Sequence, residues 1–148
     1  MSIFPTTVLL ATDGSKDAEL ATTTALDLAN STSSELHIVL VEEPTHSYVD
    51  ASGLTFLAEE LEHEQEQQAR MRLDAEVQKT RSTGGAVAQA HLRVGAAAPE
   101  IVDLAEEIGA GLIVMGSRGL GGIRRALMGS VSKSVVRHAH CPVLVVRQ

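Results

Sequence analysis

The sequence predicts an α/β protein in which a doubly wound parallel sheet of five strands carries helices on both faces. Short runs rich in valine, isoleucine and leucine alternate along the chain with segments whose apolar residues recur at helical spacing. Strands that alternate with helices are joined by right-handed crossovers, which make the strands parallel and place helices on both faces of the sheet. The 148 residues have the size of one domain, so we expect residues 1–148 to form a single domain.

The first half of the chain contains two predicted strands and two predicted helices. Residues 6–12, TTVLLAT, are an apolar run that ends at the turn-forming sequence DGS, which indicates a buried strand. A helix is predicted next, because alanine and leucine recur at helical spacing between Ala18 and Ala29. Residues 35–43, ELHIVLVEE, form the second strand, and a polar loop follows it. From residue 54 to about residue 83 the apolar positions again keep a helical period.

The second half continues the alternation. Residues 86–95 alternate weakly between apolar and polar side chains, as a strand does. Residues 98–110 indicate a short helix, with Pro99 in its first turn and Gly109 at its end. The remaining predicted elements are a fourth strand at 111–116, a fourth helix at 131–139 and a fifth strand at 142–147.

Charge and composition exclude several classes of partner. The chain has 12 basic and 19 acidic side chains and a net charge of −7, which disfavours binding to nucleic acid or to an anionic membrane surface. No run approaches the roughly 20 apolar residues of a membrane span, and the N-terminus does not resemble a secretory signal. The single cysteine, Cys141, cannot form an internal disulfide. We therefore expect a cytoplasmic protein with no nucleic acid or membrane partner.

The stretch MGSRGLGGIRRALMGS, from Met115 to Ser130, is rich in glycine and joins the fourth strand to the fourth helix. In an open parallel sheet, ligands bind beyond the carboxyl ends of the strands, where the strand order reverses. The first residues of the following helix direct free N–H groups toward an anion at that position. The pattern favours a phosphate-binding loop, although the P-loop and dinucleotide-binding glycine motifs are both absent. A flexible surface connection is the structural alternative.

The glycines of this stretch follow the pattern Gly116-x2-Gly119-x9-Gly129-Ser130. In this pattern the chain resembles the universal stress protein family, in its ATP-binding branch, whose signature is G-x2-G-x9-G-[ST]. The sequence LLATDGS and the ending GSVSKSVVRHAHCPVLVVR also resemble that family, so the likeness covers nearly the whole chain. It implies a Rossmann-like fold of the adenine nucleotide alpha hydrolase-like type. Ala11, itself counted among the nucleotide-binding residues, stands where many members have proline, a departure that bears on loop stiffness more than on ligand chemistry.

The resemblance implies a bound adenine nucleotide, which is ATP or else AMP or ADP, with Mg²⁺ expected alongside ATP. Asp13 matches the acidic residue of the family near the ribose and the adenine. Thr12 beside it and the backbone of Val41, at the end of the second strand, would complete the base pocket. Met115 and Gly116 would lie under the sugar.

The phosphates would be bound by the glycine-rich stretch and the helix after it. Arg118 and Gly119 would lie along the phosphates. Backbone and hydroxyl hydrogens at the start of the fourth helix would be donated to phosphate oxygens by Gly129, Ser130, Val131 and Ser132. The structural alternative for Asp13 is a turn or helix-cap residue. The sequence HAHC at 138–141 offers soft metal ligands, but no second ligand cluster accompanies it, so no protein metal site is assigned.

Efficient phosphoryl transfer needs charge stabilisation and a positioned nucleophile or water. The sequence has no Walker lysine and no obvious base for the terminal phosphate, so no catalytic residue is assigned. The expected function is therefore an ATP-binding, nucleotide-dependent regulatory or stress-response protein with little or no turnover. The alternatives are a slow ATP-hydrolysing or adenylate-transferring enzyme and a nucleotide-free interaction protein. The apolar terminal strand PVLVVR predicts a homodimer, because an edge strand invites pairing, and a further protein partner stays open.

Overall fold

The computed structural model describes residues 1–44, 55–117 and 129–147, and every predicted strand and helix has its counterpart there. In chain order the elements are β1 Thr7–Ala11, α1 Glu19–Thr32, β2 Glu35–Glu42, α2 Thr55–Ser82, β3 Gln89–Val94, α3 Ala97–Ile108, β4 Leu112–Gly116, α4 Ser130–His138 and β5 Val143–Val146. A short 3-10 helix, Lys16–Ala18, precedes α1. β3 begins at Gln89 rather than at residue 86, because the chain is still completing the turn after α2, in which Gly84 has a φ of 90°.

The five strands form one sheet in the order β3-β2-β1-β4-β5, and every neighbouring pair is parallel. β1 is central, and the chain builds outward from it first through β2 and β3 and then through β4 and β5. The strand order therefore reverses between β1 and β4, which confirms the predicted doubly wound arrangement.

Side chains that alternate along the central strand are buried in two apolar clusters, one on each face of the sheet. Val8 and Leu10 pack in the cluster that includes α1 and α2, whereas Leu9 and Ala11 pack in the cluster that includes α3 and α4. All four side chains are buried. A parallel strand covered on both faces has no solvent side, which explains why all four residues from Val8 to Ala11 are apolar.

The end of α3 shows how local sequence sets the length of a helix. α3 ends at Gly109, which adopts a left-handed φ of 66° and donates its N–H group to the carbonyl groups of Ala105 and Glu106. This is the predicted stop, and glycine adopts that conformation at no steric cost.

No helix in the described part of the chain is long and apolar enough to cross a membrane.

A pair of histidines joins β2 to β3 on the edge of the sheet. The His37 Nδ1 and His91 Nε2 atoms are 3.0 Å apart, and the two rings are stacked with their centroids 5.3 Å apart. Burial lowers the pKa of His91, and the neighbouring charges of His37 and Arg93 lower it further. One ring nitrogen of the pair must carry a hydrogen and the other must accept it.

We expect His91 to make the protein less stable in mild acid. Because its pKa is lower in the folded protein, the unfolded chain binds more protons between the folded pKa and the unfolded value of about 6.5. This contribution is fully present above that unfolded value and is lost as the pH falls through the folded pKa. Urea unfolding between about pH 5 and pH 8 measures it, and His91→Gln should reduce the loss of stability on acidification. An unchanged pH dependence in the variant would assign the loss to other groups.

Candidate functional site

Most of the functional residues predicted from the sequence lie at the carboxyl ends of β1 and β4 or at the start of α4, where the strand order reverses. β1 and β4 are neighbours in the sheet, and Ala11 is paired with Met115 at their carboxyl ends. The helix after β1 packs on one face of the sheet and the helix after β4 packs on the other. Two neighbouring strands are thus followed by helices on opposite faces of the sheet, the arrangement at which ligands bind in open parallel sheets.

A tight turn follows β1 and fixes the position of Asp13. The Thr12 side chain is 1% exposed, and its N–H group donates to the carbonyl of Val39 in the neighbouring strand at 3.0 Å. The Thr12 hydroxyl oxygen accepts the N–H group of Gly14 at 3.1 Å. Asp13 Oδ1 accepts the N–H group of Ser15 at 2.9 Å, and Gly14 adopts a left-handed φ of 77°. Asp13 therefore stabilises this turn through its side chain, which agrees with the alternative that it is a turn residue. Asp13 is also partly exposed at the end of β1.

Two polar atoms of this turn keep unused hydrogen-bonding capacity. Among the described residues, no side-chain hydrogen bond reaches the second carboxylate oxygen of Asp13. The hydroxyl oxygen of Ser15 is buried and has no hydrogen-bond partner there either. Buried polar atoms are normally paired. An unpaired hydroxyl close to a half-buried carboxylate therefore makes this turn a candidate for binding a ligand.

The end of β4 is held to the start of α4 through one carbonyl group. Ser117 donates its N–H group to the Val146 carbonyl at 2.9 Å and thereby extends the pairing of β4 with β5. The Ser117 carbonyl oxygen accepts the Gly129 N–H group at 2.7 Å and the Ser132 hydroxyl at 3.2 Å. These bonds fix where the glycine-rich stretch leaves the sheet and where it enters the helix.

Close packing, rather than an unusual backbone conformation, favours glycine at position 129. Its φ and ψ are −66° and 164°, which any residue can adopt. A β-carbon at this position would lie 3.2 Å from the Ser117 carbonyl oxygen, tighter than ordinary contact. Gly129 therefore needs no left-handed conformation, and what disfavours a larger residue there is the approach of the Ser117 carbonyl.

The first turn of α4 presents backbone N–H groups without acceptors. Gly129 is the N-cap and, as a glycine, has no side chain that could accept a hydrogen bond from the helix. Lys133 donates its N–H group to the Gly129 carbonyl at 3.0 Å. The N–H groups of Ser130, Val131 and Ser132 have no acceptor within the described ranges. Such a helix start is an anion-binding arrangement, because the free N–H groups and the helix dipole both favour negative charge.

The two serine hydroxyls of this turn differ. Ser132 is 2% exposed, and its hydroxyl hydrogen is shared between the carbonyl oxygens of Ser117 at 3.2 Å and Gly129 at 3.0 Å. Its hydroxyl thus serves the protein backbone in this structure. Ser130 is exposed, and its hydroxyl has no partner among the described residues.

The other predicted residues lie at the border of the site or outside the described ranges. Gly116 ends β4 beside Met115, which is fully buried. Val41 lies near the end of β2 and packs, like Val131 of α4, against the apolar cluster on the α3–α4 face. The assignments to Arg118 and Gly119 fall on residues outside the described part of the chain.

Sequence reasoning missed three residues that build this end of the sheet. Ser117 supplies the carbonyl that joins β4 to α4, Ser15 contributes the unpaired hydroxyl, and Glu43 accepts the Ala97 N–H group at the start of α3 at 3.3 Å. The only sequence signal for them is a polar residue within four positions of the end of a strand. No group of three or more acidic, histidine or cysteine side chains in the described ranges could hold a metal ion.

Comparison with known proteins identifies the family. The profile of the Universal stress protein family matches residues 5–147. The universal stress protein MJ0531 of Methanocaldococcus jannaschii is 35% identical over 142 residues, which cover 95% of this chain and 81% of that protein.

Solved structures agree with this result. The universal stress protein UspA of Lactobacillus plantarum superposes with a TM-score of 0.83 at 25% identity, over 99% of this chain and all of that one. A universal stress protein solved in complex with cAMP gives 0.63 at 26% identity, over 99% and 98% of the two chains. One from Archaeoglobus fulgidus in complex with dAMP gives 0.66 at 25% identity, over 97% and 98%. With its parallel sheet, its glycine pattern and a profile match over nearly its whole length, the chain belongs to the universal stress protein family.

Proposed function

We propose that this universal stress protein binds an adenine nucleotide, ATP with Mg²⁺ in particular, in the crevice between β1, β4 and α4. The observation that carries the proposal is the start of α4, where three successive N–H groups lack acceptors in the described ranges. Adenine mononucleotides bound to two related structures, cAMP in one and dAMP in the other, support the ligand class.

The nucleoside would occupy the β1 side of the crevice. Asp13 has a carboxylate oxygen without a hydrogen bond among the described residues, and a ribose hydroxyl is a donor that would pair with it. Ala11, Thr12 and the backbone of Val41 would border the base, and Met115 with its neighbour Gly116 would support the sugar. Ala11 and Thr12 are buried, so their part would be to shape the pocket through backbone and packing.

The phosphates would occupy the α4 side. The backbone N–H groups of Ser130, Val131 and Ser132 and the free hydroxyl of Ser130 would donate to phosphate oxygens, and Gly129 would allow close approach. The resemblance adds Arg118 and Gly119 along the phosphate chain. Because the described residues include no metal-holding group of side chains, Mg²⁺ would be held by phosphate oxygens and water, as is common for this ion.

The proposal is tested by calorimetric titration of the purified protein with ATP, AMP and adenosine in the presence of Mg²⁺. Tighter binding of ATP than of adenosine would support the assignment of α4 to the phosphates. Equal affinities for the three ligands would refute that assignment, and no binding of any of them would refute the nucleotide site itself.

The role that follows is a cytoplasmic regulator whose nucleotide state is sensed by the protein itself or by a protein partner. The sequence offers neither a Walker lysine nor an obvious base for the terminal phosphate. This composition favours binding over phosphoryl transfer. A slow ATP-hydrolysing or adenylate-transferring enzyme is the alternative. In that enzyme, Asp13 would be the carboxylate that takes part in the reaction.

We expect the protein to bind ATP but to hydrolyse it far more slowly than about 10 per second, the rate of a median enzyme. Multiple-turnover release of phosphate at saturating ATP and Mg²⁺ measures this rate. Asp13→Asn is the matched variant, because it keeps the side-chain shape and the turn. Sustained release at enzymatic rates that is lost in Asp13→Asn would favour the enzyme over the binding protein.

We also propose that the protein forms a homodimer through β5, the last strand of the sheet. Ile113 and Ser117 donate N–H groups to the carbonyl groups of Pro142 and Val146, so the even-numbered residues of β5 bond to β4. Because backbone groups alternate along a strand, Val143 and Val145 direct theirs to the open edge. An apolar edge strand with unpaired backbone groups invites pairing with a second copy.

A further inference from the structure

A groove of about 270 Å³ lies between α1 and α2, on the face of the sheet opposite α4. Its walls carry three carboxylates, one ammonium group, four threonine hydroxyls and the apolar side chain of Leu26. The residues of α1 that line it recur every three or four positions, and so do those of α2. Each helix therefore presents one continuous face to the groove.

Glu76, in the groove wall formed by α2, has a largely buried side chain that forms no ion pair or side-chain hydrogen bond with the described residues. The residue is 8% exposed, and none of the ion pairs or side-chain hydrogen bonds in the described ranges involves its carboxylate. The ammonium group of Lys79 instead donates to Glu19 at 2.5 Å. Burial raises the pKa of Glu76, because the charged form is poorly solvated there. Ser15 Oγ is the only side-chain oxygen in the described ranges that is both fully buried and unpaired, so the Glu76 carboxylate reaches solvent at the groove, where a cationic ligand can pair with it.

The hydroxyl groups of the groove can accept hydrogen bonds but have no hydrogen left to donate. Each threonine in the groove donates its hydroxyl hydrogen to a backbone carbonyl in its own part of the chain. The oxygen–oxygen distances are 3.1 Å for Thr22 and Thr23 and 2.8 Å for Thr80 and Thr83. After this donation each hydroxyl oxygen keeps a lone pair. The groove is thus rich in acceptors and poor in donors.

The charge of the groove points to a cation with two positive groups. The carboxylates of Glu19, Asp27 and Glu76 outweigh the ammonium of Lys79, so the lining is doubly negative when all four groups are ionised. No set of side chains in the described ranges is arranged to hold a metal ion. The side chain of Leu26 offers an apolar contact suited to methylene groups. A short hydrocarbon chain with an ammonium group at each end satisfies all three features.

We propose that the groove between α1 and α2 binds a small aliphatic diamine in its doubly protonated form, with one ammonium group at the Glu76 carboxylate. That ammonium group donates its remaining hydrogens to the threonine hydroxyl oxygens, and the methylene chain lies against Leu26. The second ammonium group pairs with Asp27, whose carboxylate is exposed at the other wall. The groove lies on the face of the sheet opposite α4, but the Glu76 side chain is close to the turn that holds Asp13, since a β-carbon at Gly14 would lie 4.0 Å from it. Diamine binding is measured on the nucleotide-free protein, so either assignment can fail without the other.

The test is calorimetric titration of the nucleotide-free, full-length protein with 1,4-diaminobutane at low ionic strength and about pH 7. We expect saturable binding with one diamine per chain, weaker binding of butylamine and no measurable binding of 1,4-butanediol. Glu76→Gln should weaken the diamine by about tenfold or more, because it removes the buried charge but keeps the side-chain shape. Glu60→Gln is the matched control, since it removes an exposed carboxylate of the same helix outside the groove, and it should change the affinity by less than about twofold.

Two further measurements separate the site from general attraction to an acidic surface. Urea unfolding should show Glu76→Gln to be at least as stable as the parent near neutral pH, which excludes loss of the fold as the cause of weaker binding. Thr80→Val, which keeps the shape but removes one acceptor, should also weaken binding. The proposal is overturned if the parent shows no saturable binding, if the two glutamine variants behave alike, or if an equal concentration of Mg²⁺ displaces the diamine.

Discussion

We expect the Gly129→Val protein to bind ATP at least about tenfold more weakly than the parent, a loss of about 1.4 kcal/mol or more. A β-carbon at Gly129 would already lie 3.2 Å from the Ser117 carbonyl oxygen, and the branched side chain of valine would crowd the N–H groups at the start of α4. Calorimetric titration with ATP, AMP and adenosine measures the loss, and circular dichroism verifies that the variant is folded.

A graded series makes this prediction sharper. Gly129→Ala adds the β-carbon alone and should lose less affinity than valine, because a shift of a few tenths of an ångström relieves the contact. Ser130→Ala should lose about 0.5–1.5 kcal/mol, since it removes one hydroxyl and leaves the helix N–H groups in place. Gly119→Val should behave like Gly129→Val, and Arg118→Ala should weaken ATP more than adenosine. A folded Gly129→Val protein with the affinity of the parent would remove the start of α4 from the phosphate site.

The Val145→Pro protein is expected to sediment as a monomer where the parent sediments as a dimer. Val145 directs its N–H group to the open edge of β5, so proline would remove a donor used between copies without removing one used between β4 and β5. Proline is tolerated at such an outward position of an edge strand. The fold should therefore persist, and sedimentation velocity over a range of protein concentrations gives the oligomeric state.

Val145→Ala is the control for this experiment. Alanine shortens the side chain but keeps the N–H group, so the dimer should form if backbone pairing of β5 carries the interface. A dimer that survives in Val145→Pro would place the interface on another surface. Loss of the dimer in both variants would assign it to side-chain packing of β5.

The fold was predictable because its signals are local and repeated. The central strand is apolar on both faces, and α3 carries both an apolar face and a glycine stop, so its bounds followed from the sequence to within about two residues. The start of β3 was predicted less closely from the sequence. It depends on where the chain finishes its turn from α2 at Gly84, and a weakly alternating stretch gives no sign of that point.

The candidate site was predictable in its location but not in its hydrogen bonds. A glycine-rich stretch between a strand and a helix indicated the carboxyl ends of β1 and β4, where Asp13 and Gly129 do lie. The hydrogen bond from the Ser132 hydroxyl to the Ser117 carbonyl could not be predicted from the sequence. A serine in the first turn of a helix can donate its hydroxyl either to a ligand or to the backbone, and the sequence is the same in both cases. The burial of the Glu76 side chain could not be predicted either. The α2 sequence contains many charged residues, and nothing distinguishes Glu76 from the exposed ones.

The bond between the Gly129 N–H group and the Ser117 carbonyl also has a consequence for chain entropy. It joins Ser117 and Gly129, the residues on either side of positions 118–128, by a hydrogen bond within the protein itself. The entropic cost of joining two positions of a chain rises slowly with the number of residues between them, by about 0.6 kcal/mol for each doubling. That cost belongs to folding and not to ligand binding, since the joining bond needs no ligand. Insertions or deletions of a few residues within 118–128 are therefore expected to change the free energy of unfolding by less than about 1 kcal/mol while the start of α4 stays in place.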